Sequence, residues 1–134
     1  MPGRVALVVD DNEQNLELAS FLLEEAGFEV LKAADAEQAR AALRRRRPDV
    51  LLLDMNLAGA DGLELVREIR EDRRLAGVPV VALTAHAMRG DRERFLRGGC
   101  DDYIAKPIEV RRFVPQVEEA LARGRRPSER EAER

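Results

Sequence analysis

Residues 4–9 read Arg-Val-Ala-Leu-Val-Val and residues 50–53 read Val-Leu-Leu-Leu, two short apolar runs without the polar alternation of a half-exposed strand. Strands that are apolar on both faces must be covered on both, which is the situation of a parallel sheet with helices on each side. Residues 78–83 (Val-Pro-Val-Val-Ala-Leu) form a third such run, with Pro79 near its start, where a missing N–H is tolerated. Glu29–Ala33 and residues 103–105 are weaker fourth and fifth candidates.

Helical periods separate these runs. Leu16, Ala19, Ser20 and Leu23 step by three and four, and Gly27 is placed to stop that helix. Ala36, Ala39 and Leu43 mark a second helix ended by Pro48, and Leu65, Val66 and Ile69 a third. A fourth covers Arg89–Arg97 and stops at Gly98 and Gly99. In the fifth, Val110, Phe113, Val114, Val117 and Leu121 make one apolar stripe expected to face inward. Pro115 falls inside it, so this helix is expected to start late or to bend.

Five strand-then-helix units in succession, joined by right-handed crossovers, leave few topologies. The expected fold is an α/β three-layer sandwich of the flavodoxin-like (βα)5 kind, with parallel strand order 2-1-3-4-5. In that order the first and third strands are neighbours at the switch point, and their C-terminal ends open on the crevice where such sheets bind ligands. A chain of 134 residues suits one domain, read as residues 1–123, with 124–134 expected to be a polar, disordered tail.

Composition narrows the function. No run is long enough to cross a bilayer and no secretory pattern opens the chain, so a cytoplasmic protein without a membrane partner is expected. Cys100 is the only cysteine, which excludes a disulfide framework or a thiolate zinc cluster. A net charge of −3 argues against non-specific nucleic-acid binding by the surface as a whole. Nearly every basic residue is Arg, and Lys appears only at positions 32 and 106. Lysine is a compact point charge where guanidinium is a wide fork, so a narrow anion pocket distinguishes them; Lys106 is a candidate for such a pocket.

Asp10 and Asp11 end the first strand and Asp54 ends the third, so the topology brings three carboxylates to one crevice. Two like charges about 4 Å apart repel by roughly 4 kcal/mol at an effective dielectric near 20, and three call for protons or a cation. A hard divalent ion with oxygen ligands, Mg²⁺ before Ca²⁺, fits the need. Capping of the following helix by Asp11 or Asn12 accounts for one of these residues, not for all three. Thr84 ends the fourth strand beside the small Ala85, and Lys106 follows the fifth strand directly before Pro107. A hydroxyl, an open main-chain N–H and an ammonium then converge on the same crevice, the equipment of a phosphoryl site.

These residues resemble the CheY-like receiver domains of response regulators. The resemblance lies in Val-Val-Asp10-Asp11-Asn12, Leu-Leu-Leu-Asp54-Met-Asn, Ala-Asp61-Gly62, Leu-Thr84-Ala85 and Tyr103-Ile-Ala-Lys106-Pro107, and spans residues 5–121. Within the family, residues 80–107 are most similar to single-domain DivK-type receivers and to hybrid-kinase receivers. The resemblance implies that Asp54 accepts a phosphoryl group from a sensor histidine kinase or a histidine phosphotransfer protein. It implies Mg²⁺ held by Asp11 directly, by Asp10 partly through water, by Asp54 and by the Asn56 main-chain carbonyl. Thr84, Lys106, Ala85 and Met55 would hold phosphoryl oxygens, with Asp54, Lys106 and Thr84 the catalytic set. Thr84 and Tyr103 would form the switch, and the Lys106–Pro107 bond would be cis. Asn56 and His86 match the positions that tune phosphate lifetime, and Ala58, where the family usually has Pro, predicts a more mobile loop.

Two other classes are weaker. A metal-dependent phosphohydrolase needs a second catalytic aspartate two residues after Asp54, where Asn56 stands, and a flavin or nucleotide module needs a glycine-rich loop after the first strand. The reading is a self-phosphorylating receiver, not a turnover enzyme on an external substrate. No DNA-binding segment follows Leu121, so output is expected through protein binding, to a downstream target or a second receiver. The face expected to serve is the fourth helix, fifth strand and fifth helix, with Arg89, Arg92, Arg94, Arg97, Arg111 and Arg112 meeting an acidic partner.

Overall fold

The computed structural model describes residues 3–57, 61–85 and 89–124, leaving out the side chain of Arg89. Five strands and five helices alternate: β1 (Val5–Val9), α1 (Glu13–Glu25), β2 (Glu29–Ala33), α2 (Ala36–Arg45), β3 (Val50–Asp54), α3 (Gly62–Glu71), β4 (Val80–Thr84), α4 (Arg89–Arg97), β5 (Asp102–Ala105) and α5 (Val110–Arg123). The sheet is parallel throughout, in the order β2-β1-β3-β4-β5. This is the expected flavodoxin-like sandwich, and the three central strands are buried at every position.

Alternation along the strands builds one core on each face of the sheet. Leu7, Leu51, Leu53, Val80 and Ala82 pack with Ala39 and Leu43 of α2, Leu65, Val66 and Ile69 of α3, and Phe95 of α4. Ala6, Val8, Leu52, Val81 and Leu83 pack on the other side with Leu16, Ala19 and Leu23 of α1 and Phe113, Val117 and Ala120 of α5.

Polar residues fix where the helices begin. Asn12 caps α1, its Oδ1 accepting the Asn15 N–H at 3.0 Å; Asp35 caps α2 and Asp61 caps α3 in the same way. Gly62 opens α3 because a Cβ there would stand 2.9 Å from the Met55 Cα, so the helix enters against the backbone that follows Asp54.

At the other end of the sheet Arg70 joins three loops. Its guanidinium donates to the carbonyls of Gly99, Ala76 and Val78 and to Asp101 Oδ2 at 2.8 Å, and the same oxygen accepts the Val80 N–H at 2.8 Å.

One expectation for α5 needs correction, and of the two alternatives for Pro115 the late start is excluded. Phe113 and Val117 are buried, but Val110 is 59% exposed: it is the first helical residue, a turn before the helix settles on the sheet. The helix does not start late to avoid Pro115 but runs from Val110 to Arg123 with the proline inside. Gly124 ends it with φ 69°, and the rest of the expected tail, residues 125–134, lies outside the described residues. Ala58 and His86 also lie outside them.

Candidate phosphoryl and metal site

Asp54 is the last residue of β3, Asp10 directly follows β1, and these two strands pair side by side. One carboxylate oxygen from each of Asp10, Asp11 and Asp54 lies within 4.8 Å of the others. Asp10 and Asp54 are buried and Asp11 is exposed, so the trio has a closed floor and an open mouth. The capping alternative is resolved in favour of Asn12, whose side chain caps α1 while its N–H donates to Asp10 Oδ1 at 2.9 Å. In the same manner the Asn56 N–H donates to Asp54 Oδ1 at 3.0 Å. Each buried carboxylate thus has one oxygen held by the main chain and the other turned to the crevice.

Those second oxygens meet Lys106. Its ammonium lies 2.9 Å from Asp10 Oδ2 and 3.3 Å from Asp54 Oδ2. The Lys106–Pro107 peptide is cis, as expected. The Lys106 N–H donates to the Thr84 carbonyl at 2.8 Å, so the strand ends carrying Thr84 and Lys106 are tied together. Thr84 follows Leu83, the residue that pairs with Asp54 across β3 and β4; it is fully buried, and Ala85 after it is exposed.

Burial raises the Asp54 carboxyl pKa above its ordinary value. The Asn56 N–H and then Lys106 pull it down, and Asp10 adds to the rise. Burial works against the Lys106 charge, but the pairing with Asp10, followed by that with Asp54, outweighs it and leaves the lysine pKa raised. Lys106 therefore stays cationic across the neutral range and neutralises part of a site that otherwise holds three like charges. The donor set, three carboxylates beside the Asn56 backbone, is all oxygen, which suits a hard divalent ion such as Mg²⁺.

Tyr103 on β5 pairs with Ala82, two residues before Thr84 on β4, and Thr84 pairs with Ala105. Residues two apart on a strand share a face, so Thr84 and Tyr103 are diagonal neighbours on the face covered by α2, α3 and α4. Tyr103 is half-buried against that core, and the Arg92 guanidinium of α4 stands over its ring, 5.3 Å from the centroid.

Met55 fits its expected part least well. Its N–H is donated to the Leu83 carbonyl at 3.0 Å and its side chain is buried, so the main-chain N–H held at Asp54 is that of Asn56. The carboxylates, Thr84 and Lys106 were legible as strand-end residues. The Arg92–Tyr103 contact was not, because the arginine face carried no sign of which residue reaches the ring. Asp61 and Gly62 were read only as part of the resemblance; the Asp61 cap of α3 and Gly62's approach to Met55 emerge from the structure.

Residues 6–118 match the response regulator receiver domain family. The chain is 40% identical over 121 residues to the polar-differentiation response regulator DivK of Brucella anthropi, covering 90% of this chain and 98% of that protein. A putative response regulator from Chloroflexus aurantiacus superposes with a TM-score of 0.84 at 32% identity, covering 90% of this chain and 98% of the other. The chemotaxis response regulator CheY4 of Vibrio cholerae gives 0.84 at 25% identity, with 88% and 98% covered. The chain belongs to the response regulator receiver domain family, the receiving component of two-component signalling. Among the described residues no helix is long and apolar enough to cross a membrane.

Proposed function

We propose that this protein accepts a phosphoryl group on Asp54 from the phosphohistidine of a sensor kinase or phosphotransfer protein and signals by changed protein binding. The observation that carries this reading is the meeting of Asp10, Asp11 and Asp54 within 4.8 Å, with the Lys106 ammonium 3.3 Å from Asp54.

An Asp54 carboxylate oxygen attacks the phosphorus, the P–N bond to the donor imidazole breaks with its electron pair going to the nitrogen, and an acyl phosphate forms. In-line transfer of this kind needs mostly positioning and charge neutralisation. The Asn56 N–H fixes one Asp54 oxygen, and the bulk of β3 and β4 keeps the carboxylate dry. Lys106 moves its charge from the carboxylates to the incoming oxygens, and the Thr84 hydroxyl and the Ala85 N–H receive others. Asp10, Asp11, Asp54 and the Asn56 carbonyl would hold Mg²⁺, which would neutralise the remaining negative charge. Hydrolysis of the acyl phosphate resets the protein; no external substrate is turned over.

Output runs through α4, β5 and α5 to a protein partner, a downstream target or a second receiver, and not through DNA or a membrane. A groove of about 450 Å³ between β5 and α5 is lined by Tyr103, Lys106, Arg112, Gln116 and Glu119, so Lys106 borders both the acceptor and this face. Arg94, Arg97 and Arg112 are paired with Asp91, Glu93 and Glu109. Arg92 and Arg111 have no ion pair among the described residues and are the positions where an acidic partner gains most. Reversing charge at both is expected to weaken partner binding and its salt dependence while Asp54 still gains phosphate.

The deciding experiment is intact mass after incubation with acetyl phosphate, with and without Mg²⁺, on the wild type and Asp54→Asn. A metal-dependent gain of one phosphate by the wild type alone is expected. Equal labelling of the variant would refute Asp54 as acceptor.

A further inference from the structure

We propose that Arg92 is a positioning residue for the switch: its guanidinium holds the Tyr103 ring in the resting position, so the cation on α4 sets how readily the ring moves. This rests on the reading of Thr84 and Tyr103 as the responding pair and names a residue that regulates it.

The geometry singles Arg92 out from its neighbours. Arg94 and Arg97 extend from the same helix but reach acids one turn away, Asp91 at 3.9 Å and Glu93 at 3.8 Å, and the ring Arg94 stands over is that of Phe95, 5.1 Å from its centroid, not that of Tyr103. Arg92 has no such pair among the described residues; its guanidinium lies over the Tyr103 ring, 5.3 Å from the centroid. The ring also packs on the core that contains Phe95 and Ala82. It therefore touches both a hydrophobic cluster and a cation. A planar, weakly hydrated guanidinium suits such stacking better than an ammonium does.

Thr84 lies diagonally across the strand pair on the same face, so any rearrangement of Thr84 toward an acceptor phosphate changes the space beside the ring. Leaving the Arg92 contact opposes that change. A cation–π contact at an exposed site contributes about 0.5–1 kcal/mol, equivalent to a roughly two- to five-fold shift in a two-state equilibrium. An acidic group of a partner that pairs with Arg92 competes directly with the ring. Binding it then frees the tyrosine, and by linkage phosphorylation strengthens the partner by the same factor.

Tyr103 is the only tyrosine in the chain, so 3-fluorotyrosine incorporation gives one ¹⁹F signal from the ring in question. The wild type, with and without acetyl phosphate and Mg²⁺, defines the resting and phosphorylated positions of that signal. Arg92→Met keeps the aliphatic stem and removes the charge; it is expected to move the resting signal toward the phosphorylated position by a two- to five-fold population change. Arg92→Lys should restore part of the shift, and Arg94→Met should leave the signal in place. A resting signal unmoved in Arg92→Met, or moved equally in Arg94→Met, overturns the role of Arg92 when the wild type responds normally. A wild type that gains phosphate with no change at Tyr103 overturns the switch reading instead, and one that gains no phosphate overturns the receiver reading itself.

Discussion

The Lys106 ammonium and the Asp54 carboxylate form an ion pair with 3.3 Å between Nζ and Oδ2, and the same nitrogen lies 2.9 Å from Asp10 Oδ2. One cation thus engages two of the three carboxylates suited to a metal, so a metal bound there would compete with the lysine for the same oxygens. The lysine is an internal counterion to the carboxylate cluster.

Lys106→Met should therefore tighten Mg²⁺ binding. A unit charge about 5 Å from a divalent site contributes on the order of several kcal/mol at an effective dielectric of 20, much of it relieved by solvent, so a gain of roughly tenfold is expected. Isothermal titration calorimetry measures it. Labelling of Asp54 by acetyl phosphate should fall in the same variant, because the charge that meets the incoming oxygens is gone. Unchanged Mg²⁺ affinity would show that Lys106 does not compete.

Stability without divalent ions should depend on pH through Asp54. Its folded-state pKa lies above the ordinary value of 3.8, chiefly because the carboxyl is buried. In the window between those values the folded state holds more proton than the unfolded state. Unfolding free energy therefore falls as pH rises through that window and stays lower above it. Asp54→Asn lacks this loss. The variant should gain stability relative to the wild type as pH rises above the ordinary carboxyl value of 3.8 in urea titrations with chelator, and saturating Mg²⁺ should narrow the difference by binding the ionised native site. A difference that does not vary with pH would contradict the raised carboxyl.

Arg70 and Asp101 should matter for stability and not for phosphoryl acceptance. Their side chains are 12% and 2% exposed and the pair anchors the N-terminal end of β4, opposite the acceptor. Removing one partner of a buried pair costs about 3–5 kcal/mol. Arg70→Met should lower the urea midpoint accordingly, and adding Asp101→Asn should recover part of the loss. The folded fraction should still label at Asp54. A loss below about 1 kcal/mol would mean that the loop carbonyls and the carboxylate find other donors or water.

Strand and helix periods in the sequence determined the order of elements, because burial on both faces demands unbroken apolar runs and burial on one helical face demands steps of three and four. With the crossover rule, those periods leave little choice of sheet order, and sheet order brings Asp10 and Asp54 together. The cap of α1 was legible as a choice between Asp11 and Asn12, and Asn12 makes it by a local hydrogen bond.

Tertiary structure decided what depends on direction and on distant neighbours. The stripe of α5 placed Val110 inward by period, but its position at the first turn leaves it in solvent, since a period fixes a face and not where contact with the sheet begins. Met55 was named among the phosphate-holding residues without an atom, and it is sheet pairing that engages its main-chain N–H with Leu83, a partner in another strand. Arg70 read as one arginine among many on an amphipathic helix, and only the convergence of three loops makes it a buried anchor. Arg92 stands over Tyr103, whereas Arg94 and Arg97 pair with acids of their own helix, and nothing in their spacing tells them apart. Local sequence sets what each segment can form; which side chain meets which is decided by packing, where the partners are brought together by the fold and not by their spacing in the chain.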